Sequence, residues 1–109
     1  MQDIIDIRGA SGVSYRFTRF RDGNPLSAMG GNFLYAREGG EGAEVLYAGE
    51  AQNLLTDARE FWERAVAEHG AKDLYTRLNI SAGTRRLEHA DILAASATQM
   101  NAVAAEKGG

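Results

Sequence analysis

The sequence predicts an α+β fold: a small, mainly antiparallel sheet of three to four strands flanked by helices, in the order β-β-β-α-β-α. Three observations predict it. Apolar and polar residues alternate over 13–20 and 73–81, the period of half-buried strands, and the apolar runs at 32–37 and 44–48 flank a glycine-rich loop as hairpin strands do. From Ala51 the apolar period lengthens to three and four residues, the pattern of a buried helical face. A chain of 109 residues, 44% hydrophobic and 25% charged, supports one core and one domain, with a composition unlike that of disordered or coiled-coil chains.

In VSYRFTRF (13–20), Val13, Tyr15 and Phe17 fall on one side and Ser14, Arg16 and Thr18 on the other. Asp22-Gly23-Asn24-Pro25 then makes a turn, because Gly supplies positive φ and Pro25 cannot continue a ladder. NFLYAR (32–37) and EVLYA (44–48) are the arms of a hairpin joined by the glycine-rich EGGEGAE. One helix is expected from Ala51 to His69, burying Leu54, Leu55, Ala58, Phe61, Trp62, Ala65 and Val66 and stopping at Gly70. DLYTRLNIS (73–81) alternates again, with Leu74, Leu78 and Ile80 expected inward and Tyr75, Arg77 and Asn79 outward. A last helix over about 82–98, begun at Ser81 or Thr84, has Leu87, Ala90, Ala94 and Ala97 as its apolar stripe. An N-terminal strand can pair at an edge, so residues 1–28 read as a strand and turn, 29–101 as the main body and 102–109 as a frayed tail.

Composition also bounds function. Without cysteine there is no disulfide or thiolate zinc site, and without a long apolar run no membrane span is expected, so the expectation is a soluble, cytoplasmic chain. The net charge of −3 disfavours a nucleic-acid binder, whose affinity comes from cations displacing counterions. Arginines are nevertheless clustered at 16, 19 and 21 and paired at 85 and 86, and arginine suits bidentate phosphate contacts. Arg37, Arg77, Arg85 and Arg86 are the candidates to line a phosphate path. His69 and His89 lack partners at a zinc spacing; His69 is expected beside last-turn carbonyls and His89 in solvent.

A hairpin ending in Tyr47-Ala48-Gly49 before a helix, a Glu88 on a later helix, and Asn101 beyond it form a constellation. With Gly31-Asn32-Phe33 on the first arm, EAQNLL (50–55) at the helix start and LEHADIL (87–93) around Glu88, it resembles the GIY-YIG nuclease superfamily over residues 29–101. The resemblance implies a DNA endonuclease in which Glu88 holds one Mg²⁺ or Mn²⁺, a motif tyrosine generates the nucleophilic water, and a helix arginine stabilises the phosphorane. The metal would offset charge on the leaving and non-bridging oxygens. A phenol near pKa 10 serves as base only where cations favour phenolate.

Two positions depart from that pattern. The first-motif tyrosine falls on Phe33, and Tyr35, on the same strand face, lies about 6.6 Å further along. The helix arginine falls on Asp57, with Arg59 rotated about 200° from it. The implied catalytic residues are therefore Tyr47 and Glu88, with Tyr35 and Arg59 as replacements, and the substrate-binding ones are Gly49, Asn101, Arg37, Arg77 and Arg85. Asp91, three residues past Glu88, could make a paired-carboxylate site. Read individually, Tyr47 is a core aromatic, Glu88 an exposed residue of a first helical turn, and Asn101 a helix stop. The rival reading is a non-catalytic module that holds nucleic acid or a protein partner, as a monomer or homodimer.

Overall fold

NFLYAR lies inside the sheet. In the computed structural model, which describes residues 2–40 and 42–95, the strands are β1 (Ile4–Arg8), β2 (Ser14–Arg19), β3 (Gly31–Gly39), β4 (Gly42–Ala51) and β5 (Asp73–Leu78). The helices are α1 (Leu54–Asp57), α2 (Trp62–His69) and α3 (Ala82–Ala95). One five-stranded sheet runs β1-β2-β5-β3-β4, every neighbouring pair antiparallel. The class is the predicted α+β; the N-terminal hairpin of β1 and β2 joins the sheet through β5 and raises the strand count to five. Among the described residues no helix is long and apolar enough to cross a membrane.

Both faces of the sheet are covered, and each has its own core. Phe33, Tyr35, Leu46 and Leu74 pack under α1 and α2 with Leu54, Ala58 and Ala65. Tyr15, Phe17, Leu34, Ala36 and Tyr75 pack under α3 with Ile92. This overturns the expected sidedness of β5. Tyr75, read as outward, is fully buried on the α3 face, while Leu78 and Ile80, read as inward, are more than half exposed at the end of the strand. Alternation separates two faces correctly but cannot say that both are dry.

α3 departs likewise from its predicted stripe. Arg85 and Ile92 are its buried residues, and Leu87 is 74% exposed. The run expected as one helix from Ala51 to His69 is two, broken at 58–61. The break has a tertiary cause. The buried Tyr35 hydroxyl donates to the Ala58 carbonyl (2.8 Å) and accepts from the Phe61 N–H (3.2 Å), satisfying two backbone groups that a continuous helix would pair internally. Leu55, Phe61 and Val66 are exposed, against the expectation of burial. Asn53 caps α1 by accepting from the Thr56 N–H, and Gly70, at φ 70°, closes α2 as predicted.

Candidate functional site

Tyr47 sits directly across β3 and β4 from Tyr35, with ring centroids 5.3 Å apart. The register then skips: Tyr35 pairs Tyr47 but Ala36 pairs Val45, so Leu46 is the extra residue of a β-bulge. The bulge lets Leu46 and Tyr47 both pack on the α1/α2 face. Phe33 (5.9 Å) and, edge-on, Phe61 (5.7 Å) complete an aromatic cluster around the Tyr47 ring, and Trp62 meets Tyr35 edge-on at 5.3 Å. Such tilted and edge-to-face pairs are the favoured aromatic geometries.

This environment sets the chemistry of both phenols. Burial pushes the Tyr35 hydroxyl up to about 12, only partly opposed by the Phe61 N–H it accepts from. Burial, and then the charge of Glu60, also raises Tyr47. Neither is biased toward phenolate, the form a general base requires. Tyr35, assigned above as a replacement catalyst, is fully buried with its hydroxyl engaged at the helix break.

Gly49 lies opposite Phe33, and a side chain there would drive its Cβ into the Phe33 ring. The missing side chain is thus explained by the close approach of an aromatic ring. Arg59 is exposed on the α1–α2 connection, its guanidinium 5.7 Å from the Phe20 ring centroid. Asp57 accepts from the Thr56 hydroxyl (3.0 Å).

Glu88 belongs to the other face. Its Oε1 accepts from Arg77 Nε (2.9 Å) and from Asn79 Nδ2 (3.1 Å). Asn79 Nδ2 also donates to Asn32 Oδ1 (3.0 Å), and Asn32 Nδ2 donates to the Arg85 carbonyl (3.3 Å). Arg85 in turn donates through Nη1 to the carbonyls of Asn79 (3.0 Å) and Ile80 (3.2 Å). Asn32 and Arg85 are buried, and the Arg77 guanidinium lies 5.5 Å from the Tyr15 ring centroid. Burying this many polar groups is tolerable because they satisfy one another.

The sheet therefore divides the predicted constellation. Tyr47 pairs Tyr35 on the face of α1 and α2, whereas Arg77 pairs Asn32 on the face of α3, one residue out of phase. Gly49 and Arg59 go with Tyr47; Glu88, Arg77 and Arg85 go with α3. Arg37 belongs to neither cluster: it bonds Glu44 through Nε (2.9 Å) and the His69 carbonyl through Nη1 (2.9 Å), capping the end of α2. Asn101 lies outside the described residues.

Glu88 fits Mg²⁺ or Mn²⁺ poorly as arranged. Its Oε1 already serves a guanidinium and an amide, and a cation beside Arg77 would be repelled by it. Asp91 adds no second ligand there, because Ser11 N (2.8 Å), Ser11 Oγ (2.6 Å) and Tyr15 OH (2.7 Å) all donate to its carboxylate. Those bonds hold Asp91 below the usual carboxylate range and tie the β1–β2 turn to α3. Among the described residues no three His, Cys, Asp or Glu side chains gather where they could hold a metal. His89, expected in solvent, is half-buried, and burial lowers its pKa.

Sequence reasoning missed Asn79 as a partner of Glu88 and Asn32 as the partner of Asn79. The signal available was an asparagine inside a strand otherwise apolar from 33 to 36, a position that demands a buried partner. Compared with known proteins, the chain matches no family model, no curated protein and no solved structure.

Proposed function

We propose that this chain is a non-catalytic, protein-binding domain built on a nuclease-like scaffold. The observation that carries the reading is the separation of Tyr47 and Glu88 by the sheet, with Glu88 paired to Arg77. Hydrolysis of a phosphodiester needs base, metal and charge stabiliser around one phosphorus. A positioned general base is worth about 10²- to 10⁴-fold and a preorganised electrostatic donor about 10²- to 10³-fold. Phe33 and Asp57 supply neither.

A protein partner is favoured over nucleic acid because the arginines Arg37, Arg77 and Arg85, expected to line a phosphate path, are engaged within the fold. Arg19, Arg37 and Arg77 each face a carboxylate, Asp3, Glu44 and Glu88 in that order, and Arg85 is buried. Cations neutralised in this way release few counterions from a phosphate backbone. The net charge of −3 acts in the same direction.

The order of elements favours a second reading, a DNA endonuclease using Mg²⁺ or Mn²⁺. Gly31-Asn32-Phe33 and Tyr47-Ala48-Gly49 lie in adjacent antiparallel strands, and a helix, β5 and the Glu88-bearing α3 follow. That is the sequence of parts the GIY-YIG resemblance implies. Supercoiled plasmid with and without Mn²⁺ separates the two, together with DNA retention measured against salt. The binding-domain reading expects no nicking and no salt-sensitive retention; nicking that Glu88→Gln abolishes would establish the endonuclease instead.

A further inference from the structure

We propose that Ser11 is a phosphoryl-acceptor site for an arginine-directed protein kinase, and that its modification moves the β1–β2 turn from Asp91 to Arg8. The site is independent of whether the chain binds a protein or cuts DNA. The turn of residues 9–13 is exposed apart from Gly9. Gly12, at φ 94°, bends the chain there, and Ser11 precedes it at the surface. Three residues before Ser11 stands Arg8, the last residue of β1, also exposed. Among the described residues Arg8 forms no ion pair, and its guanidinium lies over the turn, with Nη2 3.6 Å from where a Cβ on Gly12 would be. Charge at a fixed spacing from the acceptor is how kinases select substrates. Of the serines and threonines in the sequence, only Ser11 has an arginine or lysine three residues before it.

The Ser11 hydroxyl already serves a carboxylate. It donates to Asp91 Oδ2 at 2.6 Å, and the Ser11 N–H donates to Oδ1 at 2.8 Å. In a kinase the catalytic-loop aspartate accepts the substrate hydroxyl proton, so docking exchanges one carboxylate for another. The γ-phosphorus of ATP bonds to Ser11 Oγ as its bond to the departing ADP oxygen breaks, and the hydroxyl proton passes to the kinase aspartate. Opening an exposed turn requires only a local release, far short of global unfolding.

Asp91 leaves no room for the product. A side chain at Gly9 would drive its Cβ into the Asp91 carboxylate, and Tyr15 OH donates to the same Oδ2 at 2.7 Å. Phosphoserine loses the O–H donor and brings close to two negative charges against that carboxylate. The contact therefore turns from attraction to repulsion. Arg8 offers the phosphate a guanidinium without a carboxylate partner, the group best matched to phosphate oxygens. Because the Ala10 N–H also donates to the Asp91 carbonyl (3.0 Å), the exchange of partners opens the tie between the N-terminal hairpin and α3.

The test incubates the full ¹⁵N-labelled chain with ATP, Mg²⁺ and a serine kinase selective for arginine three residues before the acceptor, and maps the product by mass spectrometry. One phosphoryl group entering the folded chain at Ser11 is the expected result. Arg8→Ala slows incorporation roughly 10-fold or more, and Arg8→Lys slows it less. After modification the Ala10 and Ser11 amides exchange roughly 10-fold or more faster, and phosphatase treatment restores their protection. Asp91→Asn removes the repelling charge and narrows the difference between modified and unmodified chains. No incorporation into the folded chain, whether or not a synthetic peptide of residues 5–17 is modified, overturns the proposal. So does a phosphoryl group placed elsewhere than Ser11, a rate indifferent to Arg8, or equal protection of the Ala10 and Ser11 amides before and after modification.

Discussion

Arg77 Nε lies 2.9 Å from Glu88 Oε1, and that contact ties β5 to α3. Both side chains are less than one-third exposed, between the surface pairs that contribute almost nothing and the buried pairs that are costly to break. Glu88→Ala is predicted to lower stability by about 1–2 kcal/mol. In a double-mutant cycle with Arg77→Met the two losses fall short of additivity by about 1 kcal/mol. Strict additivity in urea titrations means the pair does not form.

The Tyr35 hydroxyl, bonded at the α1–α2 break, gives a second prediction. Tyr35→Phe removes only the oxygen and leaves the Ala58 carbonyl and Phe61 N–H without a partner, a loss of about 1–3 kcal/mol. The urea midpoint should fall with the slope unchanged. A variant as stable as the parent means the break does not depend on the phenol.

Gly49→Ala forces a methyl group into the Phe33 ring and is predicted to cost about 1–3 kcal/mol. Phe33→Leu in the same chain relieves the overlap, so the double variant is more stable than the sum of single losses implies. If Gly49→Ala is harmless by thermal unfolding, ring contact is not what keeps the position glycine.

Stability should also depend on pH through Asp91. Ser11 and Tyr15 lower its folded pKa below its unfolded value. Its contribution is therefore fully present above the unfolded value near 3.9 and is lost as pH falls through the lower folded one. Tyr15 runs the other way: the bond to Asp91 raises it, so its contribution is present below about 10 and is lost as pH rises through the raised value. Asp91→Asn is predicted to lower the melting temperature at pH 7 and to flatten its decline toward pH 3. A parallel decline in parent and variant places the acid sensitivity elsewhere.

Strand alternation, the glycine-rich hairpin loop and the change of period at Ala51 placed β2 to β5 and the two helical regions from local pattern alone. What they could not reach were features decided by residues far apart in the chain. The helix break depends on a hydroxyl 23 residues away. The burial of Tyr75 depends on α3 covering a second face, and Arg85 displaces Leu87 as the buried residue of α3 because carbonyls at 79 and 80 await its guanidinium. The site shows the same division. Tyr47, Gly49 and Glu88 could be picked out by motif, but the face each occupies follows from register, and one residue of phase separates Asn32 from Phe33.

The Glu88 carboxylate and the Tyr47 phenol lie on opposite faces of the sheet and do not share a pocket. Titrating Mn²⁺ into the ¹⁵N-labelled chain and following paramagnetic broadening tests this separation most directly. The expected result is weak, unsaturable broadening at exposed carboxylates, with the signals of Arg77, Asn79 and the Tyr47 ring no more affected than the rest. Saturable broadening centred on Glu88, extending to the Tyr47 ring and abolished by Glu88→Gln, would contradict it.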